Sequence, residues 1–337
     1  MKVAAFGEVM LRLTPPEFLL LEQTRSLRME YTGTGVNIMS NLAHFGIESY
    51  LVTTLPDNRI GGAARANLRQ LGIQDTFIQQ KHQHLGTYFA EMGYGVRPTQ
   101  VTYQNRHSSS FGVSDETEYE FTKLLETVDL VHICGISLSL TDETRKAAQS
   151  LAKQASEMGK KVCFDFNFRP SLNTEENKVQ LMKAQYEEIL PFCDIVFGSK
   201  RDLTDLLKLS LNKELTEQEQ ERELIQRFIN KYDIQWFAGT RRSQADSVKE
   251  IVGILHTKDQ VVESQPRVIS ILDRIGTGDA YAAGLLLGYC EKWPLKDTVE
   301  FATVNAAVSH TIQGDVPLTT KDQIQQIMND PSIDLIR

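Results

Sequence analysis

The sequence contains few cysteines and no long apolar segment. Only four cysteines occur in 337 residues, and they stand far apart, with neither a CxxC pair nor a histidine at metal-ligand spacing. This pattern argues against a disulfide framework or a structural zinc site and predicts reduced thiols in or near the core. The amino terminus also lacks a signal-peptide pattern, and no window has the apolar length of a membrane span. We therefore expect a cytoplasmic protein without a membrane partner.

An excess of positive charge is also missing. The chain has 36 Lys and Arg against 44 Asp and Glu, a formal net charge of -8. Such a balance argues against a nucleic-acid partner. An arginine that binds an anion must therefore be placed for that purpose, because the chain carries no general excess of positive charge. The hydrophobic content of 41% is enough for a large buried core.

Strand-length apolar runs alternate with segments of helical period along most of the chain. This alternation is typical of βαβ units and predicts an α/β fold with a mainly parallel central sheet flanked by helices. No repeat or linker divides the sequence, so we treat 1–337 as one domain. The predicted strands cover Val3–Phe6, Tyr50–Thr54, Leu130–Cys134, Val162–Phe166, Ile195–Gly198 and Gln235–Ala238.

One stretch departs from the βα alternation. GTYFAEMGYGVRPTQVTYQNR, at 86–106, alternates in the manner of strands on both sides of a turn and has no helix between its halves. Together with EVMLRLTP, at 8–15, it predicts a small second sheet. We expect this sheet to form a lid, built from about 8–32 and 85–112 and inserted in the domain, or an oligomer contact, or both.

The segment DRIGTGDAYAAG, at 273–284, places two glycines before Asp279 and an apolar helix after it. The glycines leave backbone N–H groups free, and the helix dipole directs its positive end to the same place, which suits a phosphate. The alternative is a glycine turn capped by Asp279. No Walker A loop or GxGxxG fingerprint is completed here. A carboxylate at this point can orient an attacking alcohol and accept its proton late in phosphoryl transfer.

Two further stretches carry clustered polar residues. TGTGVNIMSNLAHFG, at 32–46, has a glycine-rich entry before Asn37, which suits a polyol; the alternative is an N-terminal cap with polar surface residues, which is the commoner explanation of such a helix start. KVCFDFNFRPS, at 161–171, ends a buried strand with Asp165, Asn167 and Arg169, where open α/β sheets bind ligands. An ion pair between Asp165 and Arg169 is the alternative.

These stretches, taken in order, resemble the signatures of the ribokinase-like (PfkB) carbohydrate kinases. The segment at 32–46 is similar to the amino-terminal signature of that family, and the segment at 273–284 is similar to its carboxy-terminal one. The resemblance covers essentially the whole chain. It implies a Rossmann-like α/β domain with a β-lid, and Mg²⁺-dependent transfer of a phosphoryl group from ATP to a primary hydroxyl. The resemblance leaves open whether a monovalent cation is a further cofactor. From the resemblance and from the open edge of the hairpin, we also expect a homodimer through the lid.

The resemblance also implies roles for individual residues. Asp279 would be the catalytic base, and the turn before it the anion hole for the transferred phosphoryl group. Asp202 is the predicted metal ligand, at the place of the Asn-x-x-Glu that usually organises Mg²⁺ and phosphate. The anion hole would comprise Gly276, Thr277 and Gly278; the sugar site Gly33, Asn37, Tyr88, Tyr103, Arg106 and Arg169; and the nucleotide site Asp165, Asn167, Ser199, Gly239 and Asn305, with Gly276 and Gly278.

Within the family, the DFNFRP segment and the lid residues Tyr103 and Arg106 look most like 2-keto-3-deoxygluconate kinases. An acidic sugar needs arginines in a way that a neutral sugar does not, since guanidinium binds carboxylate bidentately. A kinase of a neutral ketose such as fructose is the near alternative. A sugar-binding regulator without catalysis is the alternative from another class, because Ser199 to Asp202 and Arg241-Arg242 depart from the family pattern.

Overall fold

The computed structural model describes residues 1–168, 178–245 and 248–330. The predicted sugar ligand Arg169 lies outside these ranges. Within them the chain forms a large central sheet between two layers of helices, and a small second sheet. Two hydrophobic clusters, one on each face of the central sheet, form the core.

Ten strands of the described chain form the central sheet, and nine of them follow the order β13-β12-β11-β10-β9-β8-β1-β4-β5. The path from β11 to β5 is parallel throughout, whereas β12 to β14 pair antiparallel. The predicted parallel α/β sheet is therefore confirmed. The strands are β1 (Val3–Phe6), β4 (Ser49–Leu55), β5 (Ile78–Gln80), β8 (Leu130–Cys134), β9 (Lys161–Asp165), β10 (Ile195–Phe197), β11 (Trp236–Ala245), β12 (Val248–His256), β13 (Val261–Glu263) and β14 (Arg267–Val268).

Helices cover both faces of this sheet. Several begin at polar caps, as at Thr141, whose hydroxyl accepts a hydrogen bond from the N–H of Thr144. None of the helices in the described ranges has the length and apolar character needed to cross a membrane. The helices are α1 (Thr34–His44), α2 (Arg59–Gln70), α3 (Ser110–Val113), α4 (Phe121–Thr127), α5 (Ile136–Leu140), α6 (Asp142–Glu157), α7 (Lys178–Ile189), α8 (Glu217–Tyr232), α9 (Thr277–Glu291), α10 (Leu295–Ser309) and α11 (Lys321–Asn329).

The small sheet has the order β3-β2-β6-β7. Its outer pairs are antiparallel, which confirms the predicted hairpin at 86–106, and the two inner strands run parallel to each other. We call this sheet the lid. Its strands are β2 (Met10–Thr14), β3 (Arg28–Thr32), β6 (Gly86–Glu91) and β7 (Gln100–Gln104).

Candidate active site

A cleft of about 830 Å³ lies between the lid, the start of α1, the end of β9 and the turn before α9. It is open to solvent, and its lining is rich in polar side chains. Because parallel strands end at the same edge of a sheet, residues far apart in sequence meet here. The cleft brings together twelve of the predicted site residues: Gly33, Asn37, Tyr88, Tyr103, Arg106, Asp165, Asn167, Asp202, Gly276, Thr277, Gly278 and Asp279.

Three predicted nucleotide residues do not line this cleft. Ser199 bonds to Asp202, and Gly239 packs so closely against β10 that a Cβ would lie 2.3 Å from the Gly198 carbonyl oxygen. Asn305 is fully buried, and its amide is used internally, donating to the Asn41 side chain and to the Ala280 carbonyl at 2.7 Å each. The Asn305 amide therefore stabilises the packing of α10 on α9 and α1, and the place of Asn305 in the nucleotide site stays a prediction.

The turn before α9 has the geometry of an anion site. Gly276 adopts φ 83°, a left-handed conformation, and a Cβ on it would lie 2.0 Å from the Asp315 carbonyl oxygen, so only glycine fits. The first helical hydrogen bond runs from Ala280 N to Gly276 O at 2.9 Å. The N–H groups before it are therefore available at the positive end of a 15-residue helix. A Cβ on Gly278 would meet only open space.

Asp279 lies at the start of α9, beside Asn37 on α1. The Asn37 amide nitrogen donates to Asp279 Oδ2 at 2.7 Å. Asn37 is 2% exposed, and its other amide atom, Oδ1, is buried without a hydrogen-bond partner among the described residues. Since a buried polar atom without a partner is costly, this oxygen suits a hydroxyl donor supplied by a ligand.

The lid contributes an aromatic wall and an arginine. The Tyr88 and Tyr103 rings lie 5.9 Å apart, and the Arg106 guanidinium stacks over Tyr103 at 4.7 Å from its centroid. Arg106 is buried and donates to Glu8 Oε1 through Nε at 2.8 Å and through Nη2. Glu8 thus fixes Arg106 and leaves its Nη1 for a ligand.

A second buried arginine, Arg12 on β2, joins the lid to the anion turn. Its Nη2 donates to Asp273 Oδ2 at 2.7 Å, and its Nη1 donates to Asp315. Asp273 in turn accepts from the N–H of Ile275 at 3.1 Å, within the turn itself. Asp315 also accepts from the Tyr88 hydroxyl at 2.6 Å. Burial lowers the pKa of Arg12, but Asp315 and Asp273 raise it more, so that it remains charged.

Two arginines on the opposite side of the cleft have no carboxylate partner among the described residues. Arg242, on β11, donates to the Thr277 hydroxyl at 3.1 Å and lies 3.4 Å from His310 Nε2. Arg274 lies within the anion turn. Burial and then Arg274 lower the pKa of Arg242. These two arginines therefore repel each other, and neither forms an ion pair with a carboxylate of the described residues.

A resident metal site does not form among the residues that the structure describes. No group of three or more His, Cys, Asp or Glu in those ranges could hold an ion. Asp202 lines the cleft, but its Oδ2 accepts from both the N–H and the hydroxyl of Ser199, at 2.8 Å each. Burial raises the pKa of Asp202, and these two hydrogen bonds oppose the shift. The donor set therefore suits an Mg²⁺ that arrives with its own phosphate and water ligands.

Several residues at the cleft were not identified from the sequence. Asp315 stands outside any pattern that we used. Glu8 and Arg274 lie within the segments at 8–15 and 273–284 but were given no role, and Arg242 was identified only as a departure from the family pattern. The sequence carried no signal for the burial of Arg12, because alternation in MLRLT, at 10–14, puts Arg12 on the face opposite the two leucines, which predicts an exposed arginine. In β2 the arginine is buried and the two leucines are half-buried, as expected for a buried ion pair and not for a simple apolar face.

A family profile described as pfkB family carbohydrate kinase matches residues 1–321. The chain belongs to this family. It is therefore a sugar kinase, and this family membership implies ATP as the phosphoryl donor. The two signatures recognised in the sequence form its anion turn and the start of α1.

Individual relatives narrow the comparison. A structure from Enterococcus faecalis, provisionally named 2-keto-3-deoxygluconate kinase, has a TM-score of 0.98 and 57% identity, covering 100% of this chain and 99% of that one. The 2-dehydro-3-deoxygluconokinase of Thermotoga maritima has a TM-score of 0.90 and 28% identity, over 98% and 99% of the two chains. The 2-dehydro-3-deoxygalactonokinase of Haloferax volcanii is 25% identical over 97% of this chain and 96% of its own. The pfkB kinase described here is thus similar to kinases of keto-deoxy sugar acids.

Proposed function

We propose that this pfkB kinase phosphorylates the terminal primary hydroxyl of 2-keto-3-deoxygluconate with MgATP. The names of the relatives support the substrate, and the cleft supports the chemistry. The observation that carries most weight is the pair Asn37 and Asp279, because a buried amide oxygen and a carboxylate lie side by side next to an anion turn. Such an arrangement suits a sugar hydroxyl held against the terminal phosphate of a nucleotide.

In the proposed step, Asp279 orients the hydroxyl and accepts its proton as the sugar oxygen bonds to the γ-phosphorus. The bond from that phosphorus to the bridging oxygen breaks, and its electron pair leaves with ADP. The backbone N–H groups of Thr277 and Gly278 stabilise the charge on the transferred group. Mg²⁺, brought in as part of the MgATP substrate, would neutralise charge on the phosphates.

The carboxylate of the sugar acid is assigned to the lid side of the cleft. Nη1 of Arg106 remains after Glu8 has taken its Nε and Nη2, and the Tyr103 ring lies against the guanidinium. A charge-assisted hydrogen bond from this nitrogen favours an acid over a neutral sugar. Arg169, outside the described residues, remains a predicted second ligand of the same carboxylate.

The substrate is tested by coupled turnover of MgATP with a small panel of acceptors: 2-keto-3-deoxygluconate, 2-keto-3-deoxygalactonate, gluconate, fructose and ribose. We expect the keto-deoxy acids to give the highest kcat/KM. Preferred turnover of fructose would contradict the proposal and favour the neutral ketose kinase. Comparing activity in potassium chloride and in tetramethylammonium chloride tests the predicted monovalent cation in the same assay.

We also propose that the lid mediates a homodimer. Large apolar side chains of the lid are exposed, including Met29 at 57% and Tyr94 at 69%. The outer strands β3 and β7 have open edges, where a second copy can pair or pack. Light scattering at working concentrations should give twice the mass of the chain, and a monomer throughout would contradict this assignment.

A further inference from the structure

We propose that Arg242 is a further catalytic residue of this kinase: it donates hydrogen bonds to the phosphate oxygens of MgATP during transfer, with Arg274 supplying a second positive charge. This inference deepens the proposed function and rests on it for the identity of the acceptor. The geometry of the anion turn carries it.

Arg242 is placed by β11 and anchored to the turn itself. Its Nη2 donates to the Thr277 hydroxyl at 3.1 Å, and Thr277 begins the helix whose N–H groups form the anion site. The Thr277 hydroxyl also donates to the Arg274 carbonyl at 3.1 Å, which joins both arginines to one short loop. A phosphate held by the turn therefore lies within reach of the Arg242 side chain.

His310 helps to orient the Arg242 guanidinium. His310 Nδ1 lies 2.6 Å from the Ala306 carbonyl oxygen, so this nitrogen carries the proton and Nε2 accepts. That acceptor faces Arg242 Nη2 at 3.4 Å. A neutral imidazole and a hydroxyl thus orient the guanidinium without neutralising it, which leaves its charge for a ligand.

Arg242 differs from its strand neighbour Arg241 in that no carboxylate of the described residues forms an ion pair with it. Arg241 forms an exposed ion pair with Glu263 at 2.8 Å, so its charge is compensated. Arg242 and Arg274 have no such partner in the part of the chain that is described, and both line the cleft. Two uncompensated guanidinium groups at an anion turn are stabilised by an anion of high charge, and a triphosphate supplies it.

The chemical consequence follows from the step itself. As the bond from the γ-phosphorus to the bridging oxygen breaks, its electron pair and negative charge move to ADP. N–H donors fixed before the reaction stabilise that charge more than they stabilise the bound ATP, so they raise kcat. Removal of one such donor group typically costs on the order of 10²–10³ in kcat.

The experiment compares Arg242→Ala with Arg241→Ala, its matched neighbour on the same strand. We expect Arg242→Ala to lower kcat about 100-fold or more while the KM for the sugar and the thermal midpoint stay near wild type. Arg241→Ala should leave all three unchanged. Arg242→Lys should recover only part of the loss, since it restores charge without the planar fork. Added guanidinium ion should also restore part of the Arg242→Ala activity.

Equal kcat in Arg242→Ala and Arg241→Ala would overturn the inference, as would a lower thermal midpoint with no rescue by guanidinium, which indicates a structural role. The binding of inorganic tripolyphosphate, measured by calorimetry, separates this inference from the proposed function. If no sugar on the panel supports turnover, the substrate is wrong, but Arg242→Ala must still weaken tripolyphosphate binding at least tenfold. Unchanged binding overturns the inference alone.

Discussion

The two sides of the cleft use arginine in opposite ways. On the lid side, Arg12 and Arg106 are at most 4% exposed, and carboxylates of Asp273, Asp315 and Glu8 neutralise them. On the side of β11, Arg242 and Arg274 are exposed to the cleft, and neither forms an ion pair with a carboxylate of the described residues. A neutralised arginine fixes the position of other groups, whereas an arginine without a carboxylate partner can bind a ligand that brings negative charge.

This difference matches the two substrates in the proposed reaction. A sugar acid brings a single negative charge, which one remaining nitrogen of Arg106 can meet. MgATP brings a chain of phosphates, and charge on it moves during the reaction. The mostly neutral lid side therefore suits orientation of the acceptor, and the cationic side suits the donor.

The largest expected effect is on stability, and it concerns the neutralised arginine Arg12 on the lid side of the cleft. Arg12→Met should lower the free energy of unfolding by about 3–5 kcal/mol, because it leaves Asp273 and Asp315 buried without a cation. Arg28→Met is the control on the same sheet, since Arg28 pairs with Glu30 in a half-exposed position and should cost at most about 1 kcal/mol. Urea unfolding measures both. Equal losses would show that Arg12 is not a buried structural cation.

The second effect concerns the acceptor. Arg106→Gln should raise the KM for 2-keto-3-deoxygluconate about 10–100-fold, because one charge-assisted hydrogen bond is lost. It also leaves Glu8 buried without its partner, so the double variant with Glu8→Gln serves as the control for that stranded charge. Steady-state kinetics should show the same rise in KM in both. Recovery of a normal KM in the double variant would assign the effect to Glu8 instead.

A smaller effect is the dependence of KM on ionic strength, which should differ between the two sides of the cleft. The KM for MgATP should rise several-fold between low and high salt in the wild type, because exposed charges are screened. The double variant Arg242→Ala and Arg274→Ala should have a higher KM with a weaker dependence on salt. The KM for the sugar should respond less to salt in both proteins, since Arg106 is buried. An identical salt response in wild type and variant would break the comparison.

The smallest effect is a titration. Burial lowers the pKa of His310, the hydrogen bond to Ala306 opposes this, and Arg242 and Arg274 lower it further. A bound polyphosphate compensates both arginines, so the pKa of His310 should rise toward its ordinary value, and binding should become tighter as the pH falls. NMR of the imidazole with and without tripolyphosphate measures the shift. No change on saturation would place the anion away from these arginines.

Strands of the central sheet were predictable because each one is specified by a short run of neighbouring residues. Apolar runs such as Val3–Phe6 and Leu130–Cys134 were predicted with the bounds that the structure shows, and the anion turn was predicted from adjacent glycines. The buried network of Arg12 was not predicted, because its partners Asp273 and Asp315 lie 261 and 303 residues away in sequence. Only the folded chain brings such residues together.

Asn305 illustrates a different case. Its place in the carboxy-terminal part of the chain resembled a nucleotide-binding position. In the structure, its side-chain amide forms hydrogen bonds with Asn41, Ala280 and Thr319 inside the protein. A polar residue in an apolar helix can serve packing as well as binding, and sequence alone does not separate the two. Asn37 has the same residue type on α1, but its unpaired buried oxygen lines the cleft.

The most direct test of the account is Asp279→Asn, with both binding and turnover measured. Calorimetry with 2-keto-3-deoxygluconate should give an affinity near that of wild type, because the amide still occupies the place beside Asn37. Coupled turnover with MgATP should fall on the order of 10²–10⁴-fold, because the acceptor of the proton is lost. Turnover within threefold of wild type, with sugar binding intact, would contradict the assignment of Asp279 as the base and with it the proposed mechanism.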